Sequence, residues 1–545
     1  MSLPKEIARR RTFAIISHPD AGKTTLTEKF LLYGGALNLA GGVRDRKNQR
    51  ATASDWMELE KQRGISVSST VLQFEYRGYA VNLLDTPGHQ DFSEDTYRVL
   101  TAVDAAVMVL DAAKGIEPQT LKLFQVCRQR NVPIFTFVNK CDRPGREPLS
   151  ILDEIHETLG LQPFAVTWPV GEGMDFRGVF DRLESRVHWF EKSAGGRHRA
   201  SVEVGGIDDP AFAGRLPAPL LDKVRDELEL LEGAGTDFDR GTVLTGEQTP
   251  VYFGSAINNF GIERLLNGFL DLAPPPAPRA ADDREVPPEA PFFSAFIFKI
   301  QANLDARHRD RLAFLRVCSG KFTRDMQVYH AQTGKRIRLS FSHQLFGNER
   351  DTRDEAWPGD ILGITGQSGF GIGDTLTENP KVRYDAIPTF APECFAYFHN
   401  PDTGNYKRFR AGLDQLLQER VVQRFHPLDS VSQVPLLGAV GALQFDVVAY
   451  RLENEYNAPA RVERAPWTVT RWLDPAFDES HLADLYLGGA TLVRDDEGDL
   501  VLLFPGEWEF NYFERKNPDL KLHATRRRDR FNTTAADAVR AAASV

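Results

Sequence analysis

Over roughly the first 270 residues, short runs in which nearly every position is apolar alternate with stretches that repeat apolar residues at helical spacing. Residues 13–16, 81–84, 105–110 and 134–138 show no polar alternation, and each ends in a polar or glycine-rich turn. A strand that is apolar on both faces lies between two layers, which is the condition inside a parallel sheet. Residues 121–130 and 149–159, between or after these runs, read as helices. The pattern predicts an α/β, doubly wound domain. Residues 165–250 fit it less well. They hold Gly195-Gly196, Gly205-Gly206 and an amphipathic stretch at 220–231, and read as an insertion before the last loop of the domain.

The pattern changes after Leu272-Ala-Pro-Pro-Pro-Ala-Pro278, where prolines and charges run on to Pro287-Pro288. Such a stretch is a stiffened linker and a natural boundary. From 292 to about 376 short alternating strands and turns recur with little helix, as in a small β-barrel. Beyond about 394 strands and helices mix, with 409–417 and 444–456 helical, giving an α+β domain. The expected division is 1–275, with the insertion at about 165–250, then a linker at 276–291, a barrel at 292–385, and an α+β domain with a basic tail at 386–545.

Composition excludes several classes. The chain has 545 residues, 42% hydrophobic and 26% charged, enough for large cores. With 66 basic and 76 acidic side chains the net charge is -10, which argues against sequence-blind coating of nucleic acid but leaves local docking on RNA open. Cys127, Cys141, Cys318 and Cys394 are scattered, with no metal-ligand spacing, and read as reduced thiols. The apolar run after Arg9-Arg10-Arg11 breaks at His18-Pro19-Asp20, too soon for a signal peptide, and no stretch approaches the ~20 apolar residues that span a bilayer. A cytoplasmic protein without membrane contact is expected.

Chemistry concentrates in the turns after the apolar strands. Ser17-His-Pro-Asp20-Ala21-Gly22-Lys23-Thr24 follows a strand and opens a helix at Thr25, the setting of a phosphate-binding loop. Successive backbone N–H groups and the helix N-terminus form an anion cradle. Lys23 would reach the β- and γ-phosphates and the Thr24 hydroxyl would ligate Mg²⁺. The full pattern asks for glycine where this chain has Ser17. Asp85-Thr-Pro-Gly88-His89 also follows a strand. Asp85 can hold a metal through water, Gly88 can bring its N–H close to a γ-phosphate, and His89 stands where a water-orienting side chain belongs. Taken alone, these five residues also fit an ordinary turn with a surface histidine.

Asn139-Lys140-Cys141-Asp142 follows the strand at 134–138. A carboxylate can accept from both guanine N1–H and its exocyclic amine, a donor pair that adenine lacks, so Asp142 would select the base. Asn139 can pin the loop, and the Lys140 stem can lie on the ring. Ser255 and Ala256, after a further apolar strand, can offer a backbone N–H to guanine O6. Four such elements in this order predict a guanine-nucleotide site for GTP and GDP. Ser66 in Arg63-Gly-Ile-Ser66 is the candidate for a second Mg²⁺ ligand made only with the γ-phosphate present, although the segment also reads as a flexible loop. Gly369-Phe-Gly-Ile-Gly373 lacks a following helix and reads as a barrel turn. Arg526 to Arg530, and Arg408 with Arg410, read as solvated charges.

Together these phrases resemble the translational GTPases, nearest within them to the bacterial peptide chain release factors that hydrolyse GTP. Arg11-Thr-Phe-Ala-Ile-Ile-Ser-His-Pro-Asp-Ala-Gly-Lys-Thr-Thr and Asp55-Trp-Met-Glu-Leu-Glu-Lys-Gln-Arg-Gly-Ile-Ser carry the likeness, with Trp357-Pro-Gly-Asp-Ile in the barrel and Phe409-Arg-Ala-Gly-Leu-Asp-Gln-Leu in the third domain. The resemblance implies a P-loop GTPase domain, an elongation factor Tu-like β-barrel and a C-terminal α+β domain. It implies ribosome-stimulated GTP hydrolysis that promotes dissociation of class I release factors after peptide release. Lys23, Gly88 and His89 would then be catalytic, Thr24, Ser66 and Asp85 would serve the metal, and a monomer would be expected. No arginine finger is visible, so ribosomal RNA near His89 would supply the missing positive environment. A translocase-like or ribosome-protection GTPase is the alternative, disfavoured by the ~255 residues left after the linker.

Overall fold

The computed structural model describes residues 2–35, 68–191, 201–302 apart from 213, 236 and 283, 311–365 apart from 347 and 348, 369–428 apart from 386 and 388, and 434–526. Ser66, the Asp55–Glu58 phrase and residues 527–530 of the basic tail lie outside these.

The first sheet grows outward from the strand Arg10–Ser17, all of whose residues are buried. Tyr79–Asp85 and Ala105–Asp111 lie parallel to it on either side, followed by Ile134–Asn139, Gln248–Phe253 and Gln162–Ala165. Helices Lys23–Tyr33, Ser93–Thr101, Pro118–Gln129, Pro148–Leu159 and Ile262–Leu272 form in the connections. One apolar cluster places Phe13, Phe135 and Phe269 together, and another holds Leu84, Met108 and Val138. The uninterrupted apolar runs therefore arise from burial on both faces. The turns after Ser17, Asp85, Asn139 and Phe253 leave this sheet at the carboxyl ends of parallel strands, where ligands bind in open α/β sheets.

Residues 165–250 build a four-stranded antiparallel sheet from Thr167–Val170, Gly178–Asp181, Arg186–Glu191 and Ser201–Gly205, covered by helix Ala218–Gly233. Its buried Trp168 donates to Glu227 at 2.8 Å. The proline-rich stretch is less bare than its composition suggests. It contains a hairpin of Arg279–Ala281 and Arg284–Val286.

The barrel strands Ser294–Ala302, Arg311–Ser319 and Ile361–Ile364 pair antiparallel. They connect to the first sheet through Ser342–Phe346, which pairs with the edge strand Thr70–Tyr76 at Phe346 and Leu72. Side chains reinforce the junction. The Gly359 carbonyl accepts from Thr12, Asn82 and Arg316, and Arg316 also pairs with buried Asp104. The third domain is an eight-stranded antiparallel sheet with helices Tyr406–Gln418, Leu443–Tyr456 and Glu507–Lys516. Buried Arg451 ties it to the barrel: it pairs with Glu419, which also accepts the Ala302 N–H. Gly369 to Gly373 form a turn into strand Thr375–Thr377, with no helix following. Among the described residues, no helix is long and apolar enough to cross a membrane.

Candidate active site

The phosphate loop turns sharply because two of its residues take left-handed backbone: Asp20 at φ 67° and Gly22 at φ 101°. Gly22 has a second reason to be glycine. A Cβ there would fall 2.2 Å from Asn139 Nδ2. That amide donates instead to the Ala21 carbonyl at 2.8 Å, and Asn139 Oδ1 accepts the Ala256 N–H at 2.9 Å. One buried side chain thus locks the phosphate loop to the last loop of the sheet.

Lys23 and Asp85 are both buried and form an ion pair at 2.5 Å. The ammonium of the loop and the carboxylate at the end of Tyr79–Asp85 therefore meet across one short gap. Thr86 binds the second turn to the central strand by donating to the Ile15 carbonyl at 2.8 Å. Thr24 and Thr25 are half-buried in the first turn of helix Lys23–Tyr33. Gly88 lies beside Pro19, and even a methyl at Gly88 would stay 3.7 Å from it. His89 is half-buried and starts a short turn, Gln90–Phe92.

Lys140 bridges the phosphate loop and the end of strand Ala105–Asp111. Its ammonium donates to the Asp20 carbonyl at 2.6 Å and to Asp111 Oδ2 at 2.8 Å. Burial alone would raise the Asp111 carboxyl, but the Lys140 ammonium and the Ala113 N–H outweigh it and hold it below its ordinary value. Asp111 is a residue that motif reading missed. Its signal was available, because it ends the apolar run 105–110 as Asp85 and Asn139 end theirs. Cys141 is structural: burial pushes its thiol up to about 12.

The Ser255 and Ala256 expectation meets a different arrangement. The Gly254 N–H donates to Val138, the Ser255 N–H to Phe260 and the Ala256 N–H to Asn139. All three amides are engaged inside the protein, so Ala256 serves the site by anchoring Asn139.

Whether a nucleotide suits the site can be judged from the polar atoms left over. Buried side-chain atoms are normally hydrogen-bonded. Ser17 Oγ, His18 Nδ1 and Asp142 Oδ1 are buried without a partner among the described residues. All three lie in the strand-end turns, and an acceptor-only carboxylate oxygen suits the paired donors of guanine. The hydroxyl of Thr24 and carboxylate of Asp85 form an oxygen donor set, as a hard cation such as Mg²⁺ requires.

Comparison with known proteins agrees with this arrangement along nearly the whole chain. Residues 8–275 match the elongation factor Tu GTP binding domain, 292–379 match elongation factor G domain 2, and 384–514 match the class II release factor RF3 C-terminal domain. The peptide chain release factor 3 of Synechococcus elongatus is 53% identical over 522 residues, covering 96% of this chain and 94% of that protein. That of Gloeobacter violaceus is 53% identical over 523 residues, covering 96% and 98%. The chain belongs to the peptide chain release factor 3 family. It is a GTP-hydrolysing enzyme of translation termination, built from a GTPase domain, an elongation-factor barrel and the release factor 3 C-terminal domain. A crystal structure of a Thermus thermophilus protein shares the fold at TM-score 0.67 and 22% identity, covering 90% of this chain and 72% of that one. The release factor 3 C-terminal match disfavours the translocase-like alternative.

Proposed function

We propose that this release factor 3 family member is a ribosome-stimulated GTPase that promotes dissociation of class I release factors once the peptide has left. The observation that carries the nucleotide half is Asp142: a strand-end carboxylate with one buried, unpartnered oxygen, tied through the neighbouring Asn139 to the phosphate loop. In this reading Asp142 accepts guanine's paired donors, and Lys140 lies along the base.

The backbone amides of residues 20–25 and the Lys23 ammonium hold the β- and γ-phosphates. Lys23 then exchanges its Asp85 partner for phosphate oxygen, freeing that carboxylate to support the cation. Thr24 and Asp85 are the residues that would hold Mg²⁺, with Ser66 joining them in the triphosphate state. The cation would neutralise charge on the β- and γ-phosphate oxygens. Gly88 presents its N–H to the γ-phosphate, and His89 orients the attacking water.

The partners are the ribosome, with its RNA near His89, and a class I release factor. The protein acts as a cytoplasmic monomer, with the domain division at 1–275, 292–385 and 386–545. The deciding experiment is a recycling assay on ribosomes stalled after peptide release. GTP with this protein should speed release-factor dissociation. If it does not, while hydrolysis is still stimulated, the termination-specific role is lost and the GTPase stands.

A further inference from the structure

The His89 ring is held by the residue two places after it. The Asp91 N–H donates to His89 Nδ1 at 3.2 Å, and Asp91 Oδ1 lies 3.2 Å from the same nitrogen. The amide suits a ring whose Nδ1 is an acceptor, and the carboxylate one whose Nδ1 carries the proton. Nδ1 is therefore engaged in either form, which leaves Nε2 as the nitrogen to serve an attacking water. The other carboxylate oxygen points elsewhere. Asp91 Oδ2 accepts the N–H of Leu443, 352 residues away, at 2.8 Å. Leu443 is the first residue of helix Leu443–Tyr456 in the third domain.

The approach is close as well as polar. A Cβ on Gly441 would fall 2.1 Å from Asp91 Cγ, so only glycine lets the two chains meet. Next to Asp91, Phe92 packs on Val447, with Leu443 and Tyr450 around them. About two turns further, Arg98 pairs with Glu94 and donates to the carbonyls of Glu419 at 3.4 Å and Arg420 at 3.3 Å. The segment after His89 is thus seated on the third domain by a hydrogen bond, an apolar contact and an arginine.

We propose that Asp91 is a positioning residue that makes placement of the His89 ring conditional on docking of helix Leu443–Tyr456. With the helix seated, the Leu443 N–H fixes the Asp91 carboxylate, and Asp91 fixes the ring. With the helix displaced, the carboxylate loses its anchor and the ring is held by the Asp91 N–H alone. Hydrolysis is thereby tied to third-domain position through one side chain. The proposal rests on His89 as the water-orienting residue.

The test is ribosome-stimulated GTP hydrolysis by the full chain, with Gly441→Ala, Asp91→Ala, the double variant, Asp91→Asn and His89→Ala side by side. Gly441→Ala pushes a methyl against the Asp91 side chain and wedges the contact apart while leaving the chemistry of Asp91 and His89 unchanged. It should lower kcat about tenfold, since misplacement of a positioning group by ~1 Å is worth up to a hundredfold. KM for GTP should not change. Asp91→Ala should do the same. The double variant should be no worse than either single, because the Asp91 carboxylate link that the methyl at 441 disturbs is already gone in Asp91→Ala. Asp91→Asn keeps an acceptor for Leu443 N–H and should recover most of the turnover. Full stimulated kcat in a Gly441→Ala protein that still melts cooperatively would overturn the coupling, as would single effects that multiply in the double. Unchanged turnover in His89→Ala would overturn the premise, a failure visible separately.

Discussion

Replacing Gly22 by alanine tests the clamp between the phosphate loop and the base-reading loop. The substitution does two things. It places an L-residue at φ 101°, a left-handed backbone that costs about 1–2 kcal/mol without glycine. It also puts a methyl 2.2 Å from Asn139 Nδ2, so Asn139 must swing away. Swinging breaks its bonds to the Ala21 carbonyl and the Ala256 N–H, each worth about 1 kcal/mol. The sum is about 3–4 kcal/mol, or on the order of a few hundredfold in nucleotide affinity if the loss falls on binding. Titration with a fluorescent GDP analogue measures it directly. Asn139→Ala supplies the control, because it removes the obstructed side chain. In that background Gly22→Ala should cost only the backbone strain, about 1–2 kcal/mol. A loss as large as in the parent would show that Asn139 is not what the methyl displaces, and a change below about threefold would refute the clamp altogether.

Asp142→Asn reverses the hydrogen-bond sense of one oxygen and should move preference from guanosine to xanthosine nucleotides; competition binding that still favours GTP would remove Asp142 as base reader. Arg451→Ala takes from the buried Glu419 carboxylate its paired guanidinium and leaves it the Ala302 N–H, and should cost about 3–5 kcal/mol in urea titration. A loss under about 1 kcal/mol would mean the barrel and third domain do not depend on that pair. Burial pushes the Cys127 and Cys141 thiols from 9.0 up to about 12. The folded chain then keeps protons that the unfolded chain gives up, so the unfolded state binds fewer. Stability should be full below about pH 9 and fall by ~1.4 kcal/mol per pH unit per thiol up to about pH 12. Cys141→Ala should lessen that slope in melts between about pH 8 and 10.5, and an unchanged slope would contradict it.

Much of this architecture is visible in the chain because the signals are local. A run such as 105–110 is apolar throughout since it lies between two layers, and the polar residue ending it marks a turn at the sheet's carboxyl edge. Asp85, Asn139 and the overlooked Asp111 all obey that rule. Helices 409–417 and 444–456 were legible from spacing and extend to Tyr406–Gln418 and Leu443–Tyr456. The sheet within 165–250 was not legible. Thr167–Val170 and Gly178–Asp181 are four residues each, too short for alternation to register. Buried Asp181 makes sense only beside Arg264, which arrives 83 residues later. The engagement of the 254–256 amides was not legible for a related reason. A spacing rule identifies an amide, whereas its partners here, the Val138 and Phe260 carbonyls and the Asn139 side chain, are set by the fold. Asp91 and Gly441 carry no motif that links them, and only the fold brings them together.

The pairing of Phe346 with Leu72 has a consequence for how the protein can be divided. Strand Thr70–Tyr76 is the outer strand of the GTPase sheet, and the barrel covers part of that edge. An uncovered edge strand offers free amides and carbonyls to any neighbouring chain. A cut in the proline-rich linker would free the first 275 residues and bare this edge together with the buried polar face of Thr12 and Asn82. The isolated fragment should self-associate, and charged residues placed along Thr70–Tyr76 should be needed to keep it single. The barrel is, for the sheet beside it, a guard against its own kind.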